Sequence, residues 1–198
     1  MSEAKLKRVC VFCGSNPGRR PEYVQAAREM GRVLAERGHG LVYGGGKTGL
    51  MGVVADAVLA AGGEVLGVIP EALMAREVGH AGLTRLHVVK TMHERKAMMA
   101  DLCDGFVALP GGFGTFEEFC EVLTWSQLGF HPKPCGLLNV AGYYDTLLAL
   151  VDHATAEGFV SEKHRTLVIT DTDPARLLDR FATFTPPTTG KWIGPDER

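Results

Sequence analysis

The chain lacks an apolar run near the roughly 20 residues that span a bilayer, an excess of basic charge, and the cysteine pattern of a disulfide framework. Its 198 residues carry 21 Lys and Arg against 23 Asp and Glu, a formal net charge of −2. That balance gives no electrostatic footprint for a polyanion, so neither nucleic acid nor a membrane surface is an expected partner. The five cysteines are odd in number and scattered, which fits reduced thiols. Met1-Ser2-Glu3-Ala4-Lys5 runs into a strand-like segment without a signal-peptide core, so the expected location is the cytoplasm.

Several catalytic signatures are also missing. The seven histidines form no H-E-x-x-H or other metal spacing, which argues against a zinc site. No serine sits in a G-x-S-x-G elbow, so an α/β-hydrolase triad has no support. Gly44-Gly45-Gly46-Lys47-Thr48 suggests a P-loop, but that motif needs a glycine at position 41, which is Leu41. The same stretch matches G-x-G-x-x-G at Gly44, Gly46 and Gly49. The acid expected about 20 residues on would be Glu64, at the start of a strand instead of its end. Close packing, or contact with a smaller nucleotide, is the preferred reading. Cys10-Val11-Phe12-Cys13 has redox-pair spacing, yet strand alternation sends the two thiols to opposite faces. They read as buried structural thiols.

What is present is regular alternation. Short apolar runs at Arg8–Phe12, Gly40–Tyr43, Val65–Ile69, Leu86–Val89, Phe106–Leu109, Cys135–Leu138 and Leu167–Ile169 are predicted strands. Between them, Pro21–Arg37, Leu50–Ala61, Met92–Cys103, Thr115–Leu128, Tyr144–Glu157 and Pro174–Phe184 have helical spacing. Unbroken apolar strands separated by helices imply a parallel sheet covered on both faces. The expected fold is a Rossmann-like, doubly wound α/β sandwich of about seven strands. One domain over residues 1–184 and a peripheral tail over 185–198 are expected. Ligands in such sheets gather at the carboxyl ends of the strands, and there the chain places its glycine-rich turns.

The most informative of these is Pro110-Gly111-Gly112-Phe113-Gly114-Thr115-Phe116-Glu117-Glu118. Glycines at a strand-to-helix turn let backbone N–H groups approach an anion, and a helix N-terminus favours negative charge. Two carboxylates then follow in what reads as the first helical turn, beside a phosphate cradle that should repel them. Glu118 and Glu121, three apart, are expected to share a face, with Glu117 rotated away. Arg95-Lys96 opens another helix, where cations oppose the dipole; its place at a strand's carboxyl end favours anion or transition-state contact.

These residues resemble the Lonely Guy family. The Pro110–Glu118 stretch matches its PGGxGTxxE signature, and Met92-His93-Glu94-Arg95-Lys96 its M-x-x-R-K element. The resemblance extends from Val11-Phe12-Cys13-Gly14-Ser15 through Leu41-Val42-Tyr43-Gly44-Gly45-Gly46 to Gly136-Leu137-Leu138-Asn139 and Tyr143-Tyr144. It implies a cytokinin riboside 5′-monophosphate phosphoribohydrolase, which releases free base and ribose 5-phosphate from an N6-substituted adenosine monophosphate. Proteins of this kind have often been labelled lysine decarboxylases.

Position by position, the resemblance implies Arg95 and Glu118 as catalytic. It implies substrate contacts from Glu77, Lys96, Gly111, Gly112, Phe113, Gly114, Thr115, Glu121 and Thr124, with Gly14, Ser15 and Gly45 as further candidates. No metal or cofactor is implied, and dimers or assemblies of dimers are. A broader AMP or purine-nucleotide nucleosidase and a non-catalytic nucleotide-binding protein are the alternatives. In the chemistry implied, positive charge develops on the sugar and negative charge on the base. Glu118 would stabilise the cation, activate water or attack the anomeric carbon. A guanidinium, with an ordinary pKa above about 12, is a poor proton donor, so Arg95 would orient and stabilise.

Overall fold

The computed structural model describes residues 6–77 and 79–187, side chains excepted at 75–77. Seven strands form one parallel sheet: β1 (Arg8–Phe12), β2 (Gly40–Tyr43), β3 (Val65–Pro70), β4 (Arg85–Val89), β5 (Gly105–Ala108), β6 (Cys135–Leu138) and β7 (Val168–Asp171). Their spatial order is β4-β3-β2-β1-β5-β6-β7, and every pairing is parallel. The chain builds outward from β1 in one direction, then restarts with β5 on the other side. This is the doubly wound arrangement, and its switch point lies between β1 and β5.

The helices are α1 (Pro21–Glu36), α2 (Gly49–Ala60), α3 (Glu71–Glu77), α4 (Met92–Leu102), α5 (Phe113–Leu128), α6 (Asp145–Ala156), α7 (Glu162–Arg165) and α8 (Pro174–Ala182). Alternation along the central strands feeds two cores. Val9, Val11, Leu41, Tyr43 and Val107 pack with Met30, Leu34, Val54, Leu177 and Phe181 of α1, α2 and α8. Cys10, Phe12, Val42, Phe106 and Ala108 pack with Met99, Phe119 and Val122 of α4 and α5. Leu177 is wholly buried; truncating such a leucine to alanine costs about 2–5 kcal/mol. Cys10 and Cys13 fall in these separate cores. Burial pushes both thiols above the ordinary range, so they stay protonated and inert.

The predicted bounds need small corrections. Sequence spacing missed α3 and α7, which are too short to establish a 3.6-residue period. Helix α5 begins at Phe113, two residues before the expected Thr115. Glu117 and Glu118 therefore lie in its second turn, not its first, two residues (about 3 Å of helix axis) further from the positive end.

Candidate active site

The site assembles at the switch point. Leu109 N–H donates to Phe12 O at 2.9 Å, and Gly14 N–H to Pro110 O at 3.0 Å. Leu50 N–H closes the group by donating to Gly14 O at 3.0 Å. The turns after β1, β2 and β5 are thereby locked together. Two tyrosines add to this. Tyr144 Oη donates to Leu109 O at 2.6 Å, and Tyr143 Oη to Gly111 O. Three successive carbonyls, 109 to 111, are thus tied back into the protein.

Gly111 is glycine because a Cβ there would overlap Thr115 Oγ1 and lie 2.9 Å from Gly14 N. Gly112 and Gly114 differ, because a Cβ at either would meet nothing within 4 Å. Gly112 caps α5 with φ −98°, accessible to any residue, and with no side-chain cap hydrogen bond. The first N–H groups of a helix have no intrahelical partners, and here an open face lies over them. Neither packing nor backbone geometry requires glycine at 112 or 114, and a turn without side chains there leaves the backbone N–H groups room to meet an anion. Phe113, beside them, is 92% exposed. Thr115 is buried.

Arg95 reaches the same region from α4. Thr91 caps that helix by accepting from Glu94 N–H at 3.1 Å, while the Glu94 carboxylate accepts from Lys90 N–H at 2.8 Å. This variant of a capping box fixes the entry of α4. The Arg95 side chain is only 8% exposed. Its Nε donates to Val68 O at 3.1 Å and Nη2 to Gly44 O at 3.3 Å. Its Nη1 lies 3.5 Å from Glu118 Oε1, whose side chain is 12% exposed. A buried cation needs such compensation. Its opposition to the helix dipole is offset by two carbonyls and one carboxylate.

A second charged group sits beside the first. Lys96 Nζ donates to Glu117 Oε1 at 2.6 Å and to Glu121 Oε1 at 2.9 Å. Burial works to lower the Lys96 pKa, but the two carboxylates outweigh it and hold the ammonium above its ordinary value. This corrects the expected helix face. Glu117 and Glu121, four apart, share Lys96, whereas Glu118 points to Arg95. Glu121 Oε2 is buried without a hydrogen-bond partner.

The remaining expected contacts are more dispersed. Ser15 is exposed in the turn after Gly14. Gly45 is buried with φ 78°, and a Cβ there would face Leu86 and Ile69; contact with a ligand would fall to its backbone. Thr124 is exposed and donates to Cys120 O at 2.8 Å, about 13 Å of helix axis beyond Thr115. Glu77 ends α3, and its side chain lies outside the described residues. Among the described residues, no three His, Cys, Asp or Glu side chains group to hold a metal ion.

A family model described as "Possible lysine decarboxylase" matches residues 51–181. The Oryza sativa subsp. japonica protein named "Probable cytokinin riboside 5'-monophosphate phosphoribohydrolase LOGL9" is 52% identical over 184 residues, 93% of this chain and 81% of that protein. The Arabidopsis thaliana "Cytokinin riboside 5'-monophosphate phosphoribohydrolase LOG7" is 48% identical over 185 residues, 93% of this chain and 85% of its own length. The chain belongs to the Lonely Guy family. A molybdenum cofactor binding protein from the phototrophic bacterium Rippkaea orientalis superposes with a TM-score of 0.69, covering 91% of this chain and 98% of that one. At 19% identity that likeness extends to the fold alone.

Within this Lonely Guy protein, sequence reasoning assigned no role to Glu117, Tyr143 or Tyr144. Asn139, part of the resemblance, likewise has no role from sequence; its Oδ1 accepts from Tyr144 N–H at 2.7 Å and its Nδ2 donates to Asp145 Oδ1 at 2.7 Å. The available signal was an Asn and two tyrosines just past the carboxyl end of β6, in a fold that binds ligands at that edge.

Proposed function

We propose that this protein hydrolyses the N-glycosidic bond of cytokinin riboside 5′-monophosphates, releasing the free base and ribose 5-phosphate. The observation that carries the reading is the buried pair of Arg95 from α4 and Glu118 from α5, one helical turn past the open N-terminus of α5. The relatives at about half identity over 93% of the chain support the same chemistry.

In this reading the N–H groups of residues 113–115 receive the 5′-phosphate. Binding energy from that remote group then positions the glycosidic bond. As the bond breaks, its electron pair leaves with the base and the sugar becomes oxocarbenium-like. Glu118 sits one helical turn beyond the phosphate-facing end, where its negative charge stabilises that cation and accepts a proton from the attacking water. Arg95 fixes Glu118 and meets negative charge as it develops. Lys96 stays charged between Glu117 and Glu121 and orders the second turn of α5.

We further propose a cytoplasmic homodimer. No residue of α6 is fully buried, and Leu150, Met92 and Phe113 on the α4–α5–α6 side are 61%, 42% and 92% exposed. A second copy over this layer would bring new neighbours to Thr124 and to the unpartnered Glu121 oxygen.

Chromatographic detection of free base from isopentenyladenosine 5′-monophosphate, AMP and GMP tests the activity. Preferential release of isopentenyladenine is expected. Equal release from all three would replace the reading with a general purine-nucleotide nucleosidase, and no release would leave a binding protein.

A further inference from the structure

The turn after β2, Gly44-Gly45-Gly46-Lys47-Thr48-Gly49, carries a nucleotide-like fingerprint that none of the roles above absorbs. Most of its glycines have local explanations. Gly45 and Gly49 have φ of 78° and 58°, a region side chains avoid. Gly46 forms an isolated antiparallel bridge with Gly79, and the contact is extended by His80 N–H donating to Gly45 O at 3.1 Å.

Gly44 has no such explanation. It is absent from the residues with positive φ. A Cβ on Gly44 would overlap Arg95 Nη2 and lie 3.3 Å from Arg95 Cζ. The nearest other atom, Met51 Sδ, is at an ordinary 3.5 Å. The carbonyl of the same residue accepts from Nη2. The guanidinium is thus the one group that a side chain at 44 would displace.

We propose that Gly44 is a positioning residue: it is glycine so that the Arg95 guanidinium can lie against the β2 turn while facing Glu118. The inference rests on the reading of Arg95 as catalytic. Arg95 is aimed by Nε on Val68 O, Nη2 on Gly44 O, and Nη1 on Met92 Sδ and Glu118. A methyl group at 44 would occupy the place of Nη2, breaking the bond to Gly44 O and turning Nη1 away from Glu118. Because the displaced atom ends a flexible side chain, the backbone has no need to move. The damage falls on the reaction and spares the fold.

A double-mutant cycle tests this, with kcat, KM and thermal midpoint measured for wild type, Gly44→Ala, Arg95→Ala and the double variant on isopentenyladenosine 5′-monophosphate. Gly44→Ala is expected to lower kcat by about 100-fold, the scale of a misplacement near 1 Å, with KM little changed. Arg95→Ala should be at least as slow, and the double variant no slower than Arg95→Ala, because Gly44 acts through the missing side chain. Wild-type kcat in Gly44→Ala beside a slow Arg95→Ala overturns this inference and leaves the catalytic reading standing. A fresh loss from Gly44→Ala in the Arg95→Ala background overturns it too, since the turn would then matter in its own right. Full activity in Arg95→Ala removes the catalytic reading and this inference together. If Gly44→Ala does not fold, the double variant decides. A soluble double places the clash on the guanidinium and supports the inference; an insoluble one overturns it.

Discussion

Two glycine-rich turns face each other across the switch point and serve opposite ends. In the turn after β2, glycine is required by the protein itself. Gly49, with φ 58°, abuts the Ser15–Asn16 backbone, Gly45 packs on β3 and β4, and Gly44 accommodates Arg95. In the turn after β5, Gly111 is similarly enclosed, but Gly112 and Gly114 face open space. A glycine that neither packing nor φ requires points to something that approaches from outside. The turn that looked like a nucleotide fingerprint is thus built inward, and the shorter one opens outward at Gly112 and Gly114.

The largest expected effect lies in the outward site. Glu118→Gln removes the negative charge and keeps the shape; free-base release should fall by about 1000-fold or more with an unchanged thermal midpoint. Wild-type release from the folded variant would remove Glu118 from the chemistry. Next comes a direct contrast between the turns. Gly114→Ala should be neutral or stabilising by up to about 1 kcal/mol, since alanine is the better helix former. It should still raise KM for the nucleotide by roughly 10- to 100-fold through a weakened phosphate contact. Gly49→Ala should instead lose about 1–3 kcal/mol of stability, read from urea midpoints. Similar behaviour in the two variants would erase the distinction.

Much of the fold was legible because its signals are local. The bounds of β1, β2 and β6 follow directly from unbroken apolar runs. Helix α5 starts earlier than propensity suggests: Phe113-Gly114 is a poor helical dipeptide, yet Phe116 N–H donates to Gly112 O at 3.1 Å and closes a first turn that includes it. The site was legible where a motif is contiguous, as at Gly112 to Glu118. It was not legible where partners are distant. Gly44 and Arg95 are 51 positions apart, and the choice of Glu117 over Glu118 as the Lys96 partner depends on how α4 and α5 are rotated against each other. The tyrosine supports depend on β6 lying next to β5, a matter of sheet order.

Smaller effects sharpen the comparison further. Tyr143→Phe leaves Gly111 O without its donor and should cost about 0.5–1.5 kcal/mol, seen as a severalfold rise in KM for nucleotides and a small fall in thermal midpoint. No change in KM would detach Tyr143 from the anion turn. The smallest effect concerns Lys96. Its folded pKa is raised, so its contribution to stability is full below the ordinary lysine value of about 10.5. That contribution disappears as pH rises through the folded pKa. Urea midpoints of wild type should therefore drop more between pH 10 and 12 than those of Lys96→Met; parallel curves would exclude the stabilising role.

The central claim is tested most directly by free-base release from isopentenyladenosine 5′-monophosphate and from isopentenyladenosine under identical conditions. If the open end of α5 holds the phosphate that positions the bond for Arg95 and Glu118, the nucleoside should react at least about 100-fold more slowly in kcat/KM. Equal rates for the two would contradict the account.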